Sequence, residues 1–130
     1  VRNSEILFVK DNTDNRGAMA IICLHGTDIS NILFENINVG PCGYLTTLFY
    51  TESIFDIPGN LALPGEIHDV TFRNITQSGG ENSKLIRLSG WSESKKLRNI
   101  TYDNVMVEDQ KINEKYPRTA NRYIENIIYK

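Results

Sequence analysis

Residues 29–39 read ISNILFENINV, with apolar side chains at Ile29, Ile32, Phe34, Ile37 and Val39. A flat strand would place them every second residue, and a helix at alternating threes and fours. Here the phase slips twice in a stretch rich in strand formers. Ile32 and Phe34 share an interior with Ile37 and Val39 only if the chain turns a corner near Asn36. The slip at Ser30–Asn31 marks another corner. Asparagine suits both, because its short amide tolerates the left-handed conformation that a one-residue corner requires.

The pattern recurs. IHDVTFRNITQ (67–77) and LRNITYDNVMV (97–107) share its skeleton, and IENIIYK closes the chain from Ile124. A looser copy covers Ser4 to Phe8, with Ile6 and Phe8 standing for Ile32 and Phe34. Repeats near 4, 29, 67, 97 and 124, with strand formers and no helical period, predict an all-β solenoid of about four coils within a single domain, 1–130. At about 4.8 Å per coil it stands roughly 20 Å tall. Asn36, Asn74 and Asn104 form one predicted file of corners, and Asn31, Asp69, Asn99 and Asn126 the other. Phe34, Phe72, Tyr102 and Tyr129 form a predicted interior stack of rings.

Three further segments, MAIICLH (19–25), YLTTLFY (44–50) and KLIRLS (84–89), read as the remaining sheet of each coil. The long loops, 51–66 and 107–123, are the places where specificity is expected. The N-terminal residues show no capping helix, so the N-terminal edge is expected to pack on preceding coils or on another chain. The chain therefore reads as the C-terminal part of a longer β-helix.

Composition removes some partners. The 130 residues carry a formal net charge of −2 and no block of lysine or arginine, so neither nucleic acid nor an anionic membrane is expected. No apolar run reaches membrane-spanning length. Cys23 and Cys42 fit no metal or redox spacing and read as two small buried thiols, with a disulfide as the alternative. Asp11, Asp14 and Asp28 form no calcium loop, and neither metal nor cofactor is expected. Ser89 has no His and acid partner at readable spacing. Asn74-Ile75-Thr76 and Asn99-Ile100-Thr101 match the N-glycosylation pattern, but both lie inside the repeat, where structural use is favoured.

These repeats resemble the right-handed parallel β-helix of carbohydrate-active enzymes, nearest the polygalacturonase-type glycoside hydrolases. The likeness is closest over residues 67–107 and extends to the closing 112–130. It implies a polysaccharide or oligosaccharide partner and a secreted or periplasmic location. Arg87 in KLIRLS matches the family's substrate-facing arginine, and Ser89 stands where the family has lysine. Asn12-Thr13-Asp14 repeats the letters of a family catalytic motif, but the Asp-Asp pair and Gly-His-Gly that should follow are missing. His25, at the end of MAIICLH, is a candidate for the same outer face as Arg87, with a solvated turn histidine as the alternative. Tyr50, Glu52 and Trp91 are candidates to line the groove beside Arg87, since aromatic faces stack on sugar rings. For Trp91 a hydrophobic lid is the alternative.

Inverting glycoside hydrolysis uses two carboxylates flanking the bond, one as acid and one as base. No such cluster is legible on the strand carrying Arg87, so the resemblance implies catalytic acids on coils before Val1. The expected function is the C-terminal portion of a polysaccharide-degrading hydrolase, supplying fold and part of the groove. A non-catalytic binding or adhesin-like module is the alternative. A polysaccharide lyase would require a basic residue together with bound calcium, and the sequence shows neither clearly.

Overall fold

The computed structural model describes residues 1–7, 9, 17–23, 26–50, 65–79 and 85–130, with the backbone alone at Tyr50 and Leu85. The described residues are all-β. The strands are β1 (Arg2–Ile6), β2 (Met19–Cys23), β3 (Ile29–Val39), β4 (Tyr44–Tyr50), β5 (Ile67–Gln77), β6 (Leu85–Ser89), β7 (Leu97–Val107), β8 (Gln110–Lys111), β9 (Arg118–Ala120) and β10 (Ile124–Tyr129). They build two sheets, of order β1-β3-β5-β7-β10 and β2-β4-β6-β9. Apart from the β8 hairpin the chain visits the two sheets in turn, and every pairing along both orders is parallel. β8 folds back antiparallel on β7. Its turn holds Glu108 and Asp109 at φ 46° and 64°, the double positive φ of a tight hairpin.

The long strands of the first sheet bend where the sequence slips phase. Asn3, Asn31, Asn36, Asp69, Asn74, Asn99, Asn104 and Asn126 all have φ between 51° and 57°. Pairing continues on both sides of each corner: Ile29↔Ile67 and Ile32↔Val70 flank Asn31, and Glu35↔Arg73 and Ile37↔Ile75 flank Asn36. The corner amides bond up the stack. Asn36 Nδ2 donates to Asn3 Oδ1 at 3.0 Å, Asn74 to Asn36 at 3.0 Å and Asn104 to Asn74 at 2.9 Å. In the second file Asn126 donates to Asn99 and Asn99 to Asp69, each at 2.8 Å. There the donation ends. A carboxylate has no N–H to pass on, and Asn31 Nδ2 turns to Ser30 Oγ at 3.3 Å.

The rings stand in file. Phe34, Phe72, Tyr102 and Tyr129 have successive centroid separations of 5.1, 5.2 and 5.4 Å and interplanar angles of 8°, 10° and 12°. Around them Ile37, Val39, Ile67, Val70, Ile75, Leu97, Ile100 and Val105 face Leu45, Leu48, Ile86 and Leu88 of the second sheet, all buried. Both ends of the stack are less covered: Ile32 and Phe34 at one end, and Ile127 and Tyr129 at the other, are half-buried. Arg118 Nη1 donates to the Tyr129 hydroxyl at 2.9 Å. Cys23 and Cys42 are both buried and form no disulfide with each other, and the Cys23 thiol donates to Thr27 O at 3.3 Å.

One alignment differs from the sequence reading. The pattern sets Ile6 level with Ile32, whereas parallel pairing puts Arg2 beside Glu35 and Ile6 beside Val39. β1 therefore repeats the second half of the motif, with Asn3 at the corner held by Asn36. Phe8 lies outside the described residues.

A polar contact crosses the core between the two sheets, Thr46 Oγ1 to the Tyr102 hydroxyl at 2.9 Å. Burial pushes the Tyr102 phenol well above its ordinary range, with the Thr46 hydrogen bond pulling the other way. The folded chain thus keeps a proton that the unfolded chain gives up above about pH 10. The stability linked to this proton is intact below that pH and is lost as pH rises further. Tyr102→Phe is expected to cost about 1–2 kcal/mol at neutral pH, by stranding the Thr46 hydroxyl. It should also shallow the alkaline fall in stability. Urea unfolding at a series of pH values checks both, and an alkaline limb as steep as wild type would contradict the assignment.

Candidate functional site

The second sheet carries the residue singled out by the sequence. On β6, Ile86 and Leu88 are fully buried in the core, so Arg87 and Ser89 point outward and are partly exposed. Arg87 pairs in register with Thr47 of β4 and Thr119 of β9. Its guanidinium carbon lies 4.4 Å from the centre of the Phe49 ring. Phe49 reaches the outer face because it stands level with Ser89. A cation over a ring is worth about 0.5–1 kcal/mol at an exposed site. That biases the guanidinium toward Phe49 by a few-fold in population.

Trp91 follows β6 after Gly90. It is half-buried and packs against the core, while its backbone N–H donates to Lys95 O at 3.0 Å. Its approach is fixed by a close backbone contact. A Cβ on Gly90 would lie 1.9 Å from Tyr123 O, so only glycine fits. Asn121 clamps the same point: its Oδ1 accepts from Gly90 N at 3.1 Å and its Nδ2 donates to Gly90 O at 2.8 Å. Trp91 is thus held at the corner beyond β6 with one part of its ring committed to the core. His25 and Glu52 lie outside the described residues, as does Asn12-Thr13-Asp14. The backbone of Tyr50 pairs with Cys23.

Phe49 and Thr119 are neighbours of Arg87 that the sequence reading passed over. The alternation in YLTTLFY, with Leu48 inward, carries the signal for Phe49. RTA (118–120) carries no apolar alternation, so nothing local marks Thr119 as a strand residue.

Carboxylates are distributed unevenly. The segments MAIIC, YLTTLFY, LIRLS and RTA contain none. The first sheet holds several, and Glu35, Asp69 and Asp103 among them are engaged. Arg73 bonds Asp103 at 3.1 Å and Glu35 at 3.3 Å, and Arg2 bonds Glu35 at 3.2 Å, which makes an alternating charge file across four strands. Asp69 accepts from His68 at 2.5 Å and from Asn99, and these bonds, His68 first, hold its carboxyl below the ordinary range. Arg98 bonds Glu66 at 2.8 Å. An open groove of about 390 Å³ runs along this sheet between Leu33, Thr71, Thr101 and Arg73. Among the described residues no three His, Cys, Asp or Glu side chains group closely enough to hold a metal ion.

The strands around Arg87 thus present a cation against an aromatic ring. Beside Arg87 Thr119 is exposed and Thr47 is buried, and the segments of these strands contain no acid. No family model, curated protein or solved structure matches the chain.

Proposed function

We propose that the chain winds as a right-handed parallel β-helix and supplies part of the saccharide-binding groove of a polysaccharide-acting protein of the polygalacturonase type. Three observations support the winding: alternation of successive strands between two parallel sheets, continuous register across the asparagine corners, and the file of four rings. Right-handedness follows from the strong preference of parallel crossovers for that hand. The groove is assigned to the outer face of β4, β6 and β9. The observation that carries it is Arg87, directed outward and seated on Phe49 on a sheet whose strands bear no carboxylate.

In this reading the described strands bind and position sugar, while the acid and base of any hydrolysis belong to other coils. A non-catalytic saccharide-binding module is the second reading, favoured by the same lack of carboxylates. The encoded sequence preceding Val1 separates the two. Paired aspartates on strands stacked beside β2 support the hydrolase, and their absence supports the module.

The binding face is tested by calorimetric titration with plant-cell-wall oligosaccharides. Arg87→Ala is expected to weaken binding roughly tenfold, the scale of one charge-assisted hydrogen bond. An unchanged titration would remove Arg87 from the site. No turnover of polygalacturonate by the chain is expected, and robust hydrolysis would overturn the division between binding face and catalytic acids.

A further inference from the structure

Among the described residues the first sheet has eight left-handed corners, seven of them asparagine and the eighth Asp69. The backbone does not ask for the change, because asparagine and aspartate both tolerate that conformation. What changes is the side-chain chemistry. Asp69 accepts from Asn99 at 2.8 Å and has no N–H to hand on to Asn31. The file that runs unbroken from Asn104 through Asn74 and Asn36 to Asn3 at the other corner therefore stops here. Asp69 is also bonded to His68 at 2.5 Å, but an amide oxygen can accept that bond as well. A residue that breaks the rule of its own repeat, with no gain to the fold that asparagine lacks, points to function.

The Asp69 carboxylate lines the open groove along this sheet, between Asn31 and Asn99. Thr71 and Thr101 stand level with Leu33 between the two corner files, and Arg73 lies beyond them. The nearby cations are answered by other acids: Arg73 by Asp103 and Glu35, and Arg98, whose charge reaches Asp69 weakly, by Glu66 at 2.8 Å. The bonds from His68 and then Asn99 keep the Asp69 carboxyl below its ordinary range, so it is ionised at neutral pH. The groove thus presents an anion, two amides and two hydroxyls set about 4.8 Å apart, one strand spacing. A calcium-like ion is a poor match, since it needs about six to eight oxygens and usually several carboxylates. A ligand with an ammonium group and several hydroxyls matches better, because the carboxylate takes its N–H groups in charge-assisted bonds.

We infer that this groove is a second ligand site, in which Asp69 binds the ammonium group of a small hydroxylated amine of the amino-sugar type and Thr71 and Thr101 bind its hydroxyls. The site lies on the first sheet and does not depend on the saccharide face around Arg87.

The test follows backbone amide shifts by NMR at neutral pH. The chain is titrated with a disaccharide carrying an aminoethyl group, and with the N-acetylated counterpart, which has the same hydroxyls and no charge. Shifts are expected at Asn31, Asp69, Thr71 and Thr101. The amine should bind about three- to tenfold more tightly than its counterpart, with the difference shrinking at high salt. Asp69→Asn should bring the two probes within about twofold of each other. It should also raise the urea midpoint, because the amide restores the bond to Asn31. Thr71→Val should weaken both probes alike. Equal affinity of the wild-type chain for the two probes would overturn the ammonium site, as would an amine preference that survives Asp69→Asn. A urea midpoint lowered by Asp69→Asn would show that the carboxylate serves the fold, and would remove the ground for assigning it to a ligand. Absence of shifts at these four residues would overturn the site whatever is found around Arg87.

Discussion

Replacing Phe72 by alanine is expected to lower stability by about 3–5 kcal/mol, the usual loss for a truncated core aromatic. Phe72 is fully buried and is stacked on both sides, 5.1 Å from Phe34 and 5.2 Å from Tyr102. Truncation removes its apolar burial and opens a gap in the middle of the ring file. Two ring contacts, each worth about 0.5–1.5 kcal/mol beyond area, are lost as well. The neighbours have little freedom to collapse into the gap, because paired strands hold their backbones at fixed register. Since domains are stable by only about 5–15 kcal/mol, much of the folded population is at stake. Chemical denaturation checks this, with Phe72→Leu as the milder control. A loss below about 1 kcal/mol for Phe72→Ala would mean that the rings do not form a continuous core.

The second large effect is expected at the corner residue Asn74. Its φ of 51° is costly for an ordinary L-residue by about 1–2 kcal/mol. Its amide donates to Asn36 and accepts from Asn104, and each such bond contributes about 0.5–1.5 kcal/mol. Asn74→Ala removes all three contributions, for a predicted loss of about 2–5 kcal/mol. Asn74→Gly keeps the backbone conformation and loses only the amide, so it should recover roughly half. Equal destabilisation by glycine and alanine would show that conformation is not what asparagine supplies at the corner. Both Asn74 and Asn99 are used inside these files, so the two glycosylation patterns coincide with structural positions.

Much of the first sheet was legible because one device served two ends. Asparagine at the phase slips marked the corners, and the apolar residues between them marked the inward face. Together they located the ring file and the starts of β3, β5, β7 and β10. β1 was set against the wrong half of the motif because Ile6 and Phe8 imitate an apolar-x-aromatic pair. Arg2-Asn3, matching Arg73-Asn74, was the better signal. β9 carries no strand signal in the sequence because Arg118, Thr119 and Ala120 are exposed at the end of their sheet, where no burial pattern is imposed on the residues. β8 is too short to carry a period.

The site was legible only in part for a different reason. Alternation on β6 places Arg87 outward whatever its partners are. Phe49 beneath it depends on stacking between strands from distant stretches of chain, which no local pattern encodes. His25 and Glu52, offered on proximity to strand ends, fall outside the described residues.

The central claim is that distant repeats lie parallel, one level above another, and nuclear Overhauser contacts in solution test it most directly. The account predicts cross-peaks between the rings of Phe34 and Phe72 and between those of Phe72 and Tyr102. It also predicts parallel-type backbone contacts linking Thr71 to Thr101 and Thr47 to Arg87. Antiparallel cross-strand Hα–Hα contacts between β3, β5 and β7, or ring protons that contact only their local neighbours, would contradict it.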